Sequence, residues 1–380
     1  MKKMLSLAAM LAVLSYASPA SAELKLTGDA AVRARGHFGS TESADGITKD
    51  KEDDLYFQYK VRLKAAADLG NGYFFKALVQ SEEAPVVGGV TANVAGGWSY
   101  VGTNNAGAYN LEVSNFYFGR NLKDCHYSIG RLPLNSANNP IFDLALYAVP
   151  TAFTSSGIYA VDIPVSTYNF DRLFGFNYGG KVGDGELNGT LVVLDNFTGD
   201  NNAGEGNGLL NDGYALHVSY KNTIGNVTVE PQALISLTNL QAPAARPNST
   251  PYTFGMNATI PSGKSKIGAS AFYTVNRDTT PANTKIDYTG YLLRLKGESG
   301  AATAWIDYNS TCDQSAANDV DYTNVFVWAQ YSFKMHESAT GSFSLTPTLR
   351  YRASGMETAG TPGTAHNNAL RTELYATVTF

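Results

Sequence analysis

The 380-residue chain is mildly acidic and rich in glycine and aromatic residues. It carries 28 Lys and Arg against 33 Asp and Glu, a formal net charge of −5 at pH 7, with 37 Gly, 23 Tyr and 18 Phe but 2 Cys. We expect no nucleic-acid partner, because the sequence has no basic tail and no interleaving of basic and aromatic residues. Helical periodicity is almost lacking, which is unusual for a water-soluble protein of this size.

The N-terminus has the three parts of a secretory signal peptide. Lys2 and Lys3 form a basic start, Met4–Tyr16 is a short apolar run, and Ala20–Ala22 is a small-residue cleavage site. The apolar run is too short to span a membrane. We therefore expect 1–22 to be a signal peptide, with cleavage after Ala22, and 23–380 to be the mature chain.

From Glu23 onward, apolar and polar residues alternate with a period of two, which indicates strands with one apolar and one polar face. In the first strand the apolar positions include Leu26 and Val32, and the polar positions include Arg33 and Arg35. The pattern recurs to the end of the chain, and we count sixteen strands.

Short turns and long connections alternate between these strands. Asn71–Gly72 is the strongest hairpin signal. The predicted long connections are Gly39–Asp54, Ser81–Ala108, Pro133–Asn169, Asn196–Asp212, Leu237–Pro251, Asn276–Ile286, Ser310–Asp321 and Ala353–Asn367. This spacing is typical of a meander of membrane-tilted strands.

The charges on the polar face favour a transmembrane barrel over a soluble one. A soluble barrel points its apolar face inward, whereas a transmembrane barrel points it toward lipid. Sixteen closed strands leave a lumen too wide for side chains to fill. Arg33, Lys60, Arg62 and Lys64 would then meet water and need no partners, whereas burial in a soluble core would be costly. The sequence thus predicts an all-β fold, a 16-stranded antiparallel transmembrane β-barrel.

Three local features resemble the general porin family of Gram-negative bacteria. The final alternating strand ends on Phe380, like the C-terminal signal of outer-membrane barrels. The connection Pro133–Asn169 follows the fifth strand, where porins place the loop that folds into the barrel. Gly130 and Arg131 before this loop and Arg172 after it are similar to the residues that flank the porin loop.

The resemblance implies long extracellular loops, short periplasmic turns, an inward-folded third loop at 133–169, and a place in the bacterial outer membrane. It implies a porin: a water-filled channel for passive diffusion of small hydrophilic solutes and ions. The implied partners are outer-membrane lipid and lipopolysaccharide, the solutes and ions, and the barrel-assembly machinery acting on Phe380. It also implies a homotrimer, because Ser81–Ala108 resembles the loop that latches onto a neighbouring subunit.

Basic residues of the polar face cluster on strands that adjoin in a closed barrel, which we name the basic arc. Its members are Arg33 and Arg35 on strand 1, Lys60, Arg62 and Lys64 on strand 2, Lys76 on strand 3, Arg350 and Arg352 on strand 15, and Arg371 on strand 16. Against it stands a loop whose charges are Asp143 and Asp162 alone.

In the porin family, an acidic loop faces a basic wall and filters solutes. Our hypothesis for the pore constriction and lumen comprises Asp143, Asp162, Arg33, Arg35, Lys60, Arg62, Lys76, Arg131, Arg172, Arg350 and Arg371, with a modest anion preference. Strict alternation puts Arg131 and Arg172 on the lipid face, so this hypothesis requires the chain to leave the ladder there. Ile141, Phe142, Leu144 and Tyr147 are candidate anchors of the loop.

Two other functions stay open. The first is a substrate-selective channel, in which aromatic side chains would favour sugars and the basic arc would favour carboxylates or phosphate. The second is a surface adhesin or structural barrel, which would need long outward loops.

We expect no enzyme, cofactor or metal, because the five histidines are scattered without metal-ligand spacing and no Ser/His/Asp cluster is visible. We also expect no disulfide. Cys125 falls at the periplasmic end of strand 5 and Cys312 in the seventh outer loop, too far apart to be bridged.

Overall fold

The computed structural model describes residues 23–81, 86–87, 90–91, 98–100, 111–133, 139, 141, 172–195, 213–237, 251–279 and 285–380. Its wall strands are β1 (Glu23–Glu42), β2 (Lys49–Gly70), β3 (Tyr73–Ser81), β4 (Leu111–Asn121), β5 (Cys125–Pro133), β6 (Arg172–Val182), β7 (Gly185–Asp195), β8 (Gly213–Ile224), β9 (Val227–Ser236), β10 (Tyr252–Ser262), β11 (Ser265–Thr279), β12 (Lys285–Ser299), β13 (Ala302–Asp313), β14 (Val320–Tyr331, continued as Phe333–Ser338), β15 (Gly341–Thr358) and β16 (Ala365–Thr379). The predicted signal peptide lies outside the described residues.

The sixteen strands pair antiparallel, each with its neighbours in sequence, and the last pairs with the first. β1 pairs with β2 along its whole length and with β16 from Asp29 to Glu42. Backbone hydrogen bonds between Gly28 and Phe380, at 2.8 and 3.0 Å, complete this seam. Closure satisfies the backbone groups that an open sheet would leave unpaired at its edges. The predicted sixteen-stranded antiparallel barrel is confirmed.

The two faces of the wall are divided as the alternation predicts. On β1, Leu26 and Val32 are 58 % and 59 % exposed, whereas Arg33 and Arg35 are 4 % and 2 % exposed. Large apolar side chains are likewise exposed on the outer face of other strands, among them Phe57 and Leu293. An apolar exterior around a charged interior is the reverse of a soluble protein and is typical of barrels in lipid. Among the described residues, no helix is long and apolar enough to cross a membrane.

At the rim away from the short turns, several strands are longer than predicted. β1 continues to Glu42 and β2 begins at Lys49, so residues 43–48, rather than Gly39–Asp54, form the connection. Lys49 Nζ lies 2.7 Å from Glu42 Oε1 across this end of the hairpin. The alternation ends earlier than the strands because both faces are polar there, so the sequence carries no signal of period two.

The two cysteines lie on different strands and neither forms a disulfide. Cys125 begins β5 at the turn end, as predicted. Cys312 is part of β13, opposite Thr289 and Asp321, and is not in a loop. Cys312 was predicted to lie in a loop because β13 also continues beyond the stretch in which apolar and polar residues alternate.

A lysine on the outer face tests whether that face meets hydrocarbon. Leu293 lies in the middle of β12, and Met335 lies near the turn that follows β14. We expect Leu293→Lys to lower the free energy of unfolding in phospholipid vesicles by about 2–4 kcal/mol, and the matched control Met335→Lys by about 0–1 kcal/mol. Equal losses for the two variants would mean that the apolar belt is not embedded in lipid.

Candidate functional site

The basic arc forms one continuous inner surface across the seam. Arg350 lies opposite Arg371, and Arg371 lies opposite His37. Directly opposed residues of an antiparallel ladder share a face. The buried arginines on β15, β16 and β1 are Arg33, Arg35, Arg350, Arg352 and Arg371. The predicted clustering of these positions on adjoining strands is thus present.

Glu373 lies at the centre of this arc, and the sequence reasoning missed it. Its carboxylate accepts a hydrogen bond from Arg35 Nε, lies 3.4 Å from Arg33 Nη1 and 2.7 Å from Arg350 Nε, and accepts a hydrogen bond from the Tyr375 hydroxyl at 2.7 Å. The Glu373 side chain is fully buried. One carboxylate therefore links arginines from β1 and β15 across β16. Glu373 lies two residues after Arg371 on the same strand, so the alternation of faces could have identified it as an inner-wall residue from the sequence.

A second carboxylate, Asp29, pairs with the part of the arc on β2. Both oxygens accept from Arg62 Nε at 2.9 Å, and Lys60 Nζ lies 4.0 Å from Asp29 Oδ2. The expectation that Arg33, Lys60 and Arg62 need no partners is therefore wrong. The Arg33 and Lys60 side chains are mostly buried and Arg62 is partly exposed. An uncompensated buried charge is costly, so the buried groups need partners.

β12 and β13 carry another buried ion pair that the sequence analysis missed. Arg294 Nε and Nη2 lie 2.6 and 2.8 Å from the two oxygens of Asp307, directly opposite in the ladder. Both side chains are almost fully buried. This fork-to-fork geometry fixes the orientation of the guanidinium, and it extends the region of paired charges beyond the seam.

Trp98 covers part of the basic arc from inside. The Arg33 guanidinium lies 4.1 Å and the Lys60 ammonium 4.7 Å from the centre of its ring, which packs edge-on against Tyr375. The short strand Ser99–Tyr100 pairs with β2 next to it. Residues 98–100 of the Ser81–Ala108 connection are therefore anchored to their own barrel. Within the rest of that connection, the described residues form one pairing, Val86–Val87 with Val90–Thr91.

Trp305 and Trp328 form a second aromatic group on the inner wall. They lie opposite each other on β13 and β14, with ring centres 4.6 Å apart and planes inclined by 11°. The Arg350 guanidinium lies 3.8 Å from the Trp328 ring centre. All three tryptophans of the chain thus contact cations of the inner wall.

Two residues of the predicted constriction loop are described, and both contact the barrel wall. Asn139 Nδ2 donates to Gln232 Oε1 on β9 at 2.7 Å, and Asn257 Nδ2 on β10 donates to Asn139 Oδ1 at 3.4 Å. Ile141 is fully buried in an apolar cluster with Val192, Ala215, Leu234, Phe272, Leu292 and Phe326. Its predicted anchoring role is confirmed. Asp143, Asp162, Phe142, Leu144 and Tyr147 lie outside the described residues.

Arg131 does not line the lumen. It stays in the ladder opposite Phe116 and Phe174, whose side chains are exposed on the outer face, and its Nη1 donates to the Val113 carbonyl at 3.3 Å. The prediction that the chain leaves the ladder at Arg131 is wrong, because pairing continues through Pro133.

The remaining predicted positions are Lys76 and Arg172. Lys76 lies opposite Ala66, which is on the same, inner face of β2 as Lys64. The Lys76 ammonium is 5.3 Å from the Phe74 ring centre. Lys76 therefore belongs to the inner wall. Only the backbone of Arg172 is described, and it begins β6 opposite Pro133. Within the described part of the chain, no group of three or more His, Cys, Asp or Glu could hold a metal ion.

Comparison with known proteins identifies the fold. No family model and no curated protein matches the sequence. The outer membrane channel DcaP of Acinetobacter baumannii is 14 % identical over 96 % of this chain and 99 % of its own, with a TM-score of 0.55. An anion-selective porin from Comamonas acidovorans is 10 % identical over 94 % and 100 %, with a TM-score of 0.52. OmpF of Salmonella typhi, in complex with daunomycin, is 13 % identical over 93 % and 98 %, with a TM-score of 0.50. At these identities the likeness shows the fold, which is that of Gram-negative outer-membrane porins.

Glu373→Gln tests the buried charge network. Removing the carboxylate charge leaves the guanidinium groups around it less compensated, so we expect the free energy of unfolding in lipid vesicles to fall by about 3–5 kcal/mol. The control is Glu337→Gln, because Glu337 pairs with Lys334 at 2.8 Å while both side chains are exposed. We expect that control to lose at most about 0.5 kcal/mol. A loss no larger for Glu373→Gln would show that the network contributes little to stability.

Proposed function

Taking the porin fold as the premise, we propose that this chain is an outer-membrane porin. Its barrel would be a water-filled channel for passive diffusion of small hydrophilic solutes and ions, with no catalytic activity and no cofactor. The observation that carries the proposal is the division of the closed wall into an apolar exterior and a charged interior. A chain that turns its charges inward and its leucines outward is built to separate lipid from a polar lumen.

The proposed channel has a modest anion preference. On β15, β16 and β1 the inner wall holds five buried arginines, and the described buried carboxylates there are Glu373 and Asp29, of which Asp29 pairs with Arg62 on β2. A surplus of fixed positive charge raises the local concentration of anions and disfavours cations. Asp143 and Asp162, on the loop whose Asn139 is bonded to Gln232 on β9, would face this surplus and moderate it.

The surroundings of the barrel follow from the same proposal. The apolar outer face would contact outer-membrane lipid and lipopolysaccharide, and the protein would reach that membrane after cleavage behind Ala22. Phe380, whose side chain is 54 % exposed at the seam, would be read by the barrel-assembly machinery. The functional unit would be a homotrimer, with the part of Ser81–Ala108 that precedes Trp98 as the latch.

The described loops disfavour an adhesin. Residues 43–48 and 359–364 are short connections between strands that continue beyond the apolar belt. An adhesin needs long outward loops, and these two offer little surface. A substrate-selective channel stays the second candidate, because three tryptophans lie beside cations on the inner wall.

Swelling of proteoliposomes in iso-osmotic neutral sugars tests the channel. Diffusion through a water-filled lumen is limited by solute size, so we expect arabinose to enter faster than glucose, and sucrose more slowly than either. Protein-free liposomes are the control. Swelling indistinguishable from the control would exclude a diffusion channel and would favour the adhesin.

The constriction hypothesis is tested by Asp143→Asn combined with Asp162→Asn. Removing negative charge opposite the basic arc should raise the chloride-to-potassium permeability ratio, by about twofold or more. The matched control is Asp184→Asn, in the exposed turn between β6 and β7, which should leave the ratio unchanged. The chloride-to-potassium permeability ratios of the three proteins are measured in planar bilayers. Equal ratios for the double variant and the wild type would remove both aspartates from the constriction.

A further inference from the structure

We propose that Lys25, Lys64 and Lys76 form a binding site for compact tetrahedral oxyanions with two negative charges, the chemistry that sulfate and phosphate share. The site lies on the inner wall near the short turns, away from the arginines around Glu373. It deepens the proposed function by naming a class of solute that binds in the lumen, and it rests on the proposed channel for the access of that solute.

The ladder of β1, β2 and β3 brings the three lysines together. Lys25 on β1 and Lys76 on β3 are the two cross-strand partners of Ala66. Lys64 precedes Ala66 by two residues on β2 and so shares its face. The Cβ atoms of directly opposed residues lie about 5 Å apart, and those of diagonal neighbours about 7–8 Å. Because the alanine side chain is short, the three lysines border one shallow hollow of the inner wall.

These lysines have no carboxylate partner in the part of the chain that the structure describes. All three side chains are exposed, and among the described residues neither Lys25 nor Lys64 forms an ion pair or a hydrogen bond. The Lys76 ammonium contacts an aromatic ring, with its nitrogen 5.3 Å from the Phe74 ring centre. The three ammonium groups are therefore available to a solute in the lumen.

Two carboxylates of the same face lie nearby along the strands, and both are engaged. Asp29 accepts hydrogen bonds from Arg62 Nε at 2.9 Å, and Asp68 Oδ1 accepts from the Gly70 N–H at 2.9 Å. At the seam, by contrast, the carboxylate of Glu373 lies among the basic groups. Like charges on neighbouring strands repel. An anion bound between the lysines supplies the counter-charge that the wall lacks at this place.

The use of lysine favours one shape and charge of anion. A guanidinium is a planar fork that pairs with two oxygens at once, whereas an ammonium is a compact charge with three donors on a flexible stem. Three ammonium groups from three strands can each reach a different oxygen of one tetrahedral anion. A dianion offsets two of the three positive charges, whereas chloride or acetate offsets one. The site therefore prefers sulfate and phosphate to monovalent anions.

Protection of the lysines from acetylation tests the site without relying on ion flow. The folded full-length protein is treated with acetic anhydride at constant ionic strength, and the modification of each lysine is measured by mass spectrometry. We expect sulfate and phosphate to protect Lys25, Lys64 and Lys76 with a common midpoint, and chloride and acetate to need at least about fivefold higher concentrations. Lys221 is the internal control and should stay unprotected, because it is an exposed inner-face lysine on β8 that lies opposite Glu186.

Lys64→Gln removes one of the three charges and keeps a polar side chain. The sulfate concentration that half-protects Lys25 and Lys76 should rise about fivefold in this variant. Lys221→Gln is the matched control and should leave that concentration unchanged. Equal effects of the two variants, or equal protection of Lys221 in the wild type, would mean that sulfate acts through the general field of the lumen, and the site would be refuted.

Planar-bilayer recordings separate this inference from the proposed function. If the protein conducts chloride and sulfate gives no selective protection, the channel stands and the site is refuted. If the three lysines are protected selectively but the protein conducts no ions, the channel proposal fails and the site stands.

Discussion

A single buried carboxylate joins the strands that close this barrel. Glu373 on β16 binds Arg33 and Arg35 on β1 and Arg350 on β15, so side chains cross-link the seam that the backbone ladder closes. Its negative charge offsets the repulsion between these arginines, since like charges on neighbouring strands repel. The electrostatic character of the inner wall follows from this arrangement.

The seam also makes the lumen asymmetric. The seam side holds buried arginines covered in part by Trp98, and an apolar cluster that receives Ile141 extends from Val192 on β7 to Phe326 on β14. Seven strands lie between β1 and β9, where Asn139 is bonded to Gln232, so β9 is halfway round the ring from β1. Asn139 is thus held on the side of the ring opposite β1, whereas the cluster around Ile141 reaches Phe326 on β14, which lies opposite Arg352.

Much of the fold was predictable because one physical rule governs it. Lipid outside and water inside impose a period of two, and that period revealed the strands, their order and the faces of Arg33 and Arg350. The rule fails where its cause is absent. Above the apolar belt both faces are polar, so the ends of β1 and β13 were placed too early and the start of β2 was placed too late.

The site was less predictable, for reasons that differ between residues. Glu373 lies two residues after Arg371, so the alternation places both side chains on the inner face. Negative charge was sought only in the third loop, and this glutamate in the wall was therefore overlooked. Arg131 was predicted to line the lumen because of the porin resemblance. The alternation of the strand instead placed it on the outer face, and that placement was correct. Trp98 carried no local signal, since its position depends on a two-residue pairing with β2. The Arg294–Asp307 pair becomes apparent only once the register of β12 and β13 is known.

The zero-current potential of the wild-type protein in a KCl gradient across a planar bilayer tests the central claim most directly. If the guanidinium groups gathered by Glu373 dominate the lumen, chloride permeates more readily than potassium, and the potential takes the sign of a modest anion preference. A clear cation preference would contradict the account, because it would mean that the basic arc does not face the conducting path.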